Sequence, residues 1–113
     1  MNRILVDGRY FTGPYVLDKN ELPRKPGIAL VCTEAGEGLK IMTILQGDDI
    51  NKTVTESSKR PCWNQHSYHG KIDVYIDETE ISASEREKYR VNAISKRKDI
   101  IFCDELPKVE DDW

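Results

Sequence analysis

The sequence predicts a small α/β (α+β) domain: an antiparallel-rich, three-stranded sheet flanked by helices. Three observations predict it. Residues 28–33 (IALVCT) and 39–45 (LKIMTIL) are apolar runs separated by the turn sequence EAGEG, the pattern of a hairpin. KIDVYID alternates strictly, with Ile72, Val74 and Ile76 on one side and Asp73, Tyr75 and Asp77 on the other, as in a half-buried strand. SASEREKYRVNAISKRK has helical periodicity, and Ser82 and Glu85 are spaced for a capping box at its start.

The elements follow in chain order. RILVDGRYFTGPYVL opens with a short apolar strand, 4–6, and turn chemistry at Asp7-Gly8 and Gly13-Pro14. DKNELPRKPG is polar and proline-bearing, a surface connection into the strand at Ile28. Residues 1–26 thus form a lead-in to the domain. In the first hairpin strand, Ile28, Leu30 and Cys32 share one face and Ala29 and Val31 the other; Ala29 is small where a buried sheet usually carries more volume. After Gly47, Asp48 or Asp49 can cap a helix running to Ser57, with Ile50 and Val54 facing inward; β-branched Thr53, Val54 and Thr55 make it a mediocre one. KRPCWNQHSYHG reads as a loop or short helical turn, with Pro61 a natural first helical residue and Gly70 a stop. DIIFCDEL can add a closing strand or a packed extended segment.

Composition narrows the function. A charged fraction of 33% and a hydrophobic fraction of 38% describe a well-solvated globule, and at 113 residues one domain can bury a core without disulfides or metals. No apolar run approaches bilayer length and the N-terminus lacks a signal-peptide core, so no membrane partner is expected. Three cysteines, Cys32, Cys62 and Cys103, in no framework spacing read as reduced thiols of a cytoplasmic protein. A net charge of −3 argues against a generic nucleic-acid binder. Residues 104–113 carry five acids and one base, an acidic tail suited to solubility or to docking on a basic groove, and the domain proper, 1–103, is close to neutral.

The order of elements, with Phe11-Thr12-Gly13-Pro14-Tyr15, LPRKPGIALV, ILQGDDI, KRPCWNQH and SEREKYRVNAI, resembles the GIY-YIG nuclease superfamily, in particular small members that begin with an F-x-GPY lead-in. The resemblance spans 11–103. It implies a tyrosine from each motif strand, an arginine on the first helix and a glutamate on the later helix, acting with one magnesium or manganese ion. Such a set suits phosphodiester cleavage: a nucleophile, a cation for the phosphate oxygens and a carboxylate for the metal. Residue by residue, these positions fall on Ala29, Thr43, Thr53 (with Lys52 beside it) and Arg90. All four groups are missing, and the last is reversed in charge.

The resemblance therefore implies a catalytically inactive GIY-YIG-like domain, a pseudo-nuclease with no cofactor that binds DNA, RNA or a protein partner. On a helical wheel Arg90 projects between Ala93 and Ile94, with Arg86 one turn earlier on that side, so both either face the former cleft and attract phosphate or carboxylate, or simply pair with Asp73 or with the helix's own acids. Lys96, Arg97 and Lys98 add charge beyond them and also suit a helix C-terminus; Trp63 is a core residue or a base-stacking platform. The alternative is a divergent metal-dependent endonuclease whose groups have moved to Lys52, Tyr75, Tyr89, Glu85 or Glu87. A third reading is that the resemblance is accidental and the fold a different small α+β one, and a structure in which Ala29 and Arg90 do not approach one cleft would decide for it. Cys62, His66, His69 and Cys103 are a weak candidate zinc set, against which stands ordinary packing of each.

Overall fold

The computed structural model describes residues 1–36, 38–101 and 103. The chain forms β1 (Asn2–Val6), β2 (Arg9–Val16), β3 (Gly27–Ala35), β4 (Gly38–Gly47), α1 (Ile50–Thr55), α2 (Arg60–His66), a 3₁₀ turn (Tyr68–Gly70), β5 (Asp73–Asp77) and α3 (Ala83–Lys96). The strands make one sheet in the order β1-β2-β5-β3-β4, every neighbour antiparallel. The sheet thus has five strands rather than three. The two extra strands are the expected lead-in, which folds as a hairpin and pairs with β5 through Thr12↔Ile76, Tyr15↔Val74 and Val16↔Asp73.

Local chemistry explains the turns and helix ends. Asp7 and Gly8 both take positive φ (48° and 81°), as a two-residue hairpin loop with the right-handed strand twist requires. The Asp49 side chain caps α1 by accepting from the Lys52 N–H at 3.2 Å. Proline in the first turn starts α2 without wasting a donor. Ser82 caps α3, its Oγ accepting from the Glu85 N–H at 3.1 Å.

Two apolar layers cover the two faces of the sheet. Ala29, Val31, Met42, Val74 and Ile76 pack beneath Ile50 and Val54 of α1 and Trp63 of α2. Phe11, Ile28, Leu30, Cys32, Ile44 and Tyr75 pack beneath Ala93 and Ile94 of α3. Strand β5 lies inside the sheet between β2 and β3, so all five of its residues are buried, including Asp73 and Asp77; the expected half-buried strand is covered on both sides. After α3 the chain passes from one layer to the other at the β4 edge. Ile101 belongs to the α3 layer, and Cys103 to the α1/α2 layer, where its N–H donates to Met42 O at 2.9 Å. The acidic tail, 104–113, lies outside the described residues.

The three cysteines are not all reduced. Cys62 on α2 and Cys103 form a disulfide, and Cys32 is a free, buried thiol. The spacing of 41 residues gave no hint of this pairing; β4 and α2 bring the two sulfurs together only in the folded chain. The argument for a reducing compartment from unpaired thiols is thereby removed. Among the described residues no helix is long and apolar enough to cross a membrane.

Candidate functional site

Of the four positions at which the resemblance implies catalytic groups, Ala29, Thr43 and Thr53 lie on the α1/α2 side of the sheet. Ala29 is fully buried in the layer with Ile50, Val54 and Trp63, so the volume its small side chain leaves is taken by larger neighbours. Thr43 is also fully buried, its Oγ1 accepting the Trp63 indole N–H at 2.7 Å. Trp63 itself is fully buried, a core residue with its polar atom satisfied and not a platform for a base. Thr53 packs on Gly47 at the end of β4, where its Oγ1 lies only 2.2 Å from the point a glycine Cβ would occupy. Lys52, next to it on α1, is exposed.

Arg90 belongs to α3, which covers the opposite face. Ala29 and Arg90 therefore do not meet in one cleft, because β3 alternates and sends Ala29 away from the helix that carries Arg90. Arg90 grips Glu87 on its own helix, Nε to Oε1 at 2.6 Å and an η nitrogen to Oε2 at 3.0 Å. This guanidinium holds the Glu87 carboxyl below its ordinary value.

Arg86 is buried instead of lining a patch. Its Nε donates to Gln46 Oε1 at 3.1 Å, and its two η nitrogens to Ile81 O at 3.0 Å and Asp48 Oδ1 at 2.7 Å. It ties the start of α3 to the end of β4 and so serves the fold. Arg97 is engaged in the same way, its two η nitrogens on the two carboxylate oxygens of Asp7 at 2.6 and 2.9 Å. That pairing lowers the Asp7 pKa and raises that of Arg97. Of the expected cationic series, Lys96 and Lys98 are exposed.

Four of the residues of the alternative endonuclease reading, Tyr75, Tyr89, Glu85 and Glu87, are engaged in the fold. Tyr75 lies in the α3 layer, and burial raises its pKa. Tyr89 donates its hydroxyl to Val6 O at 2.6 Å and is pushed up to about 12 by burial. Glu85 sits in the capping box and Glu87 is held by Arg90.

Cys62 and His66 are one turn apart on α2, and Cys103 arrives beside them; their candidate ligand atoms lie within 4.8 Å of one another. His69 is not part of this group. It sits in the 3₁₀ turn at φ 54°, with its ring edge-on to Tyr68 at 4.1 Å between centroids.

A concave site that the sequence did not single out lies at the β4 edge near the end of α3. It encloses about 460 Å³ and is lined by Leu39, Lys40, Ile41, Arg97, Asp99 and Ile100. Ile100 is 66% exposed there. Its only sequence signal is the apolar pair Leu39 and Ile41, two residues apart on a strand and hence on one side, which serves equally well as core.

Compared with known proteins, the chain matches no family model, and no curated protein or solved structure matches it significantly. Function is therefore argued from the residues above.

Proposed function

We propose that this domain is a non-catalytic binding module, GIY-YIG-like in the order of its elements. The observation that carries this reading is the complete burial of Ala29 and Thr43 beneath Trp63. Neither position exposes a group to a substrate, and a phosphodiesterase needs several groups converging on one phosphate. The hairpin β3–β4, helices α1 and α2, strand β5 and then α3 follow one another in the chain order on which the resemblance was based. The opposed positions of Ala29 and Arg90 count against a shared site and favour a different small α+β fold whose likeness is confined to that order.

Between the two ligand classes the charge arrangement favours a protein. Arg86, Arg90 and Arg97 each face a carboxylate within the chain. The concave site, which Arg97 lines, brings Leu39, Ile41 and Ile100 together with Lys40 and Asp99, a mixed apolar and charged lining. A polyanion is bound by a field of one sign, whereas such a mixture suits a protein surface.

The test is a titration of labelled duplex, single-stranded and branched DNA at low salt, with magnesium, manganese or chelator in parallel. The expected result is intact, unshifted DNA in every lane. A salt-sensitive shift abolished by Lys96→Glu with Lys98→Glu would assign the module to nucleic acid instead. Cleavage that disappears with chelator would overturn the reading and restore the endonuclease with relocated residues.

A further inference from the structure

We propose that the reduced chain carries a zinc site at Cys62, His66 and Cys103, so that disulfide and metal are alternative clasps of one segment. Cys62 and His66 stand at i and i+4 on α2, the spacing that places two ligands on one side of a helix. Cys103 is brought to them by backbone: its N–H is fixed on Met42 O, and its Cα lies 5.8 Å from that of Cys62. The candidate ligand atoms of all three already lie within 4.8 Å of one another. A tetrahedral ion with Zn–S of about 2.3 Å and Zn–N of about 2.0 Å needs ligand atoms roughly 3.5 to 3.8 Å apart. The sulfurs reach that separation by side-chain rotation once they are no longer bonded, with α2 and the β4 edge left in place.

The chemistry balances with a dithiol as reductant. Its thiolate attacks one sulfur of the pair, its second thiol resolves the mixed disulfide, and the products are two protein thiols and an oxidised dithiol. Zinc then displaces the two thiol protons and takes the neutral imidazole of His66, giving a Cys₂His set with water in the fourth position. Softness selects the metal: two thiolates and an imidazole prefer zinc to magnesium or calcium. Oxidation reverses the exchange, releasing the ion as the disulfide forms. Either clasp fastens the segment after α3 to α2, so the covering of the β4 edge at Met42 survives a change of redox state. This inference rests on Cys62, His66 and Cys103 and not on the proposed binding role, although the segment that the clasp fastens includes Ile100 of the concave site.

The test uses the full chain, reduced with a phosphine under argon and titrated with cobalt(II), then zinc(II). The expected result is one equivalent of cobalt with sulfur-to-metal charge-transfer absorption and tetrahedral d–d bands, both bleached by one equivalent of zinc. The oxidised chain should show neither band. His66→Ala should weaken zinc at least tenfold and Cys32→Ser should leave it unchanged. Absence of the charge-transfer band in the folded reduced chain overturns the proposal; so does unchanged affinity in His66→Ala, or loss of the band in Cys32→Ser. Far-ultraviolet circular dichroism keeps the test decisive if reduction unfolds the chain. Zinc must then restore the spectrum of the wild type and not of His66→Ala, and failure to restore it counts against the site.

Discussion

Trp63 donates its indole N–H to Thr43 Oγ1 at 2.7 Å, and both side chains are fully buried. This one bond joins α2 to β4 at the position where the resemblance implies a catalytic tyrosine. Thr43→Val keeps the shape and removes the acceptor, so a buried N–H is left unpaired. The expected loss is about 1–3 kcal/mol in urea unfolding. In the background of Trp63→Phe, which has no donor, Thr43→Val should cost much less, with a coupling of at least about 0.5 kcal/mol. Equal costs in the two backgrounds would mean that the bond contributes nothing.

Arg86 should behave as a structural residue. It is buried and donates to Gln46, Ile81 O and Asp48, which come from β4, the segment before α3 and the segment before α1. Arg86→Met preserves much of the stem but removes the donor to Gln46 Oε1 and to the Ile81 carbonyl. We expect a loss of about 2 kcal/mol, because Asp48 is exposed and recovers its hydration. Arg86→Lys should recover less than half, since one ammonium cannot span three acceptors in three directions. A neutral Arg86→Met in urea unfolding would return this residue to the list of surface cations.

Gly47 sits where β4 meets α1, and a Cβ there would lie 2.2 Å from Thr53 Oγ1 and 3.3 Å from Thr53 Cβ. Gly47→Ala should therefore destabilise by about 1–3 kcal/mol through displacement of the helix. Thr53→Ala keeps the Cβ and removes the hydroxyl and methyl, so it should relieve part of the cost in the double variant. Additive effects of the two substitutions in thermal unfolding would refute the contact.

Why some of this was legible and some not follows from the range of the interactions. Helix α3 announced itself because its cap, Ser82 with Glu85, and its apolar side, Ala93 with Ile94, are local. The wheel also put Arg86 on that side correctly, yet its acceptors Gln46 and Asp48 lie 40 and 38 residues away, so a pairing could be expected but not with these partners. The hairpin β3–β4 was visible for the same local reason. The joining of β2 to β5 was not, since Thr12 and Ile76 meet only in the folded sheet. The alternation of β5 then misled, because a strand with neighbours on both edges and cover on both faces buries its aspartates as well. The clasp of Cys62 and Cys103 has no local signature at all.

Asp73 shows what that burial costs. Its carboxylate is buried, in register with Cys32 of β3 and Val16 of β2; Oδ1 has no hydrogen-bond partner among the described residues, and Oδ2 is 3.9 Å from the Lys71 ammonium. Burial raises its pKa, the Lys71 charge opposes this, and Glu34 adds to it. A carboxyl whose folded pKa lies above its unfolded value of about 3.9 binds its proton more tightly in the native state. Its ionisation therefore destabilises the fold at neutral pH, and that penalty fades as pH falls through the folded pKa. Asp73→Asn should gain on the wild type at pH 7 and lose that advantage steadily toward pH 4. Any fixed packing cost of the amide cancels when the two proteins are compared across pH. Urea midpoints of both, measured from pH 7 to pH 4, check the sign: a difference that is flat, or that grows in acid, would mean the carboxylate is well solvated after all.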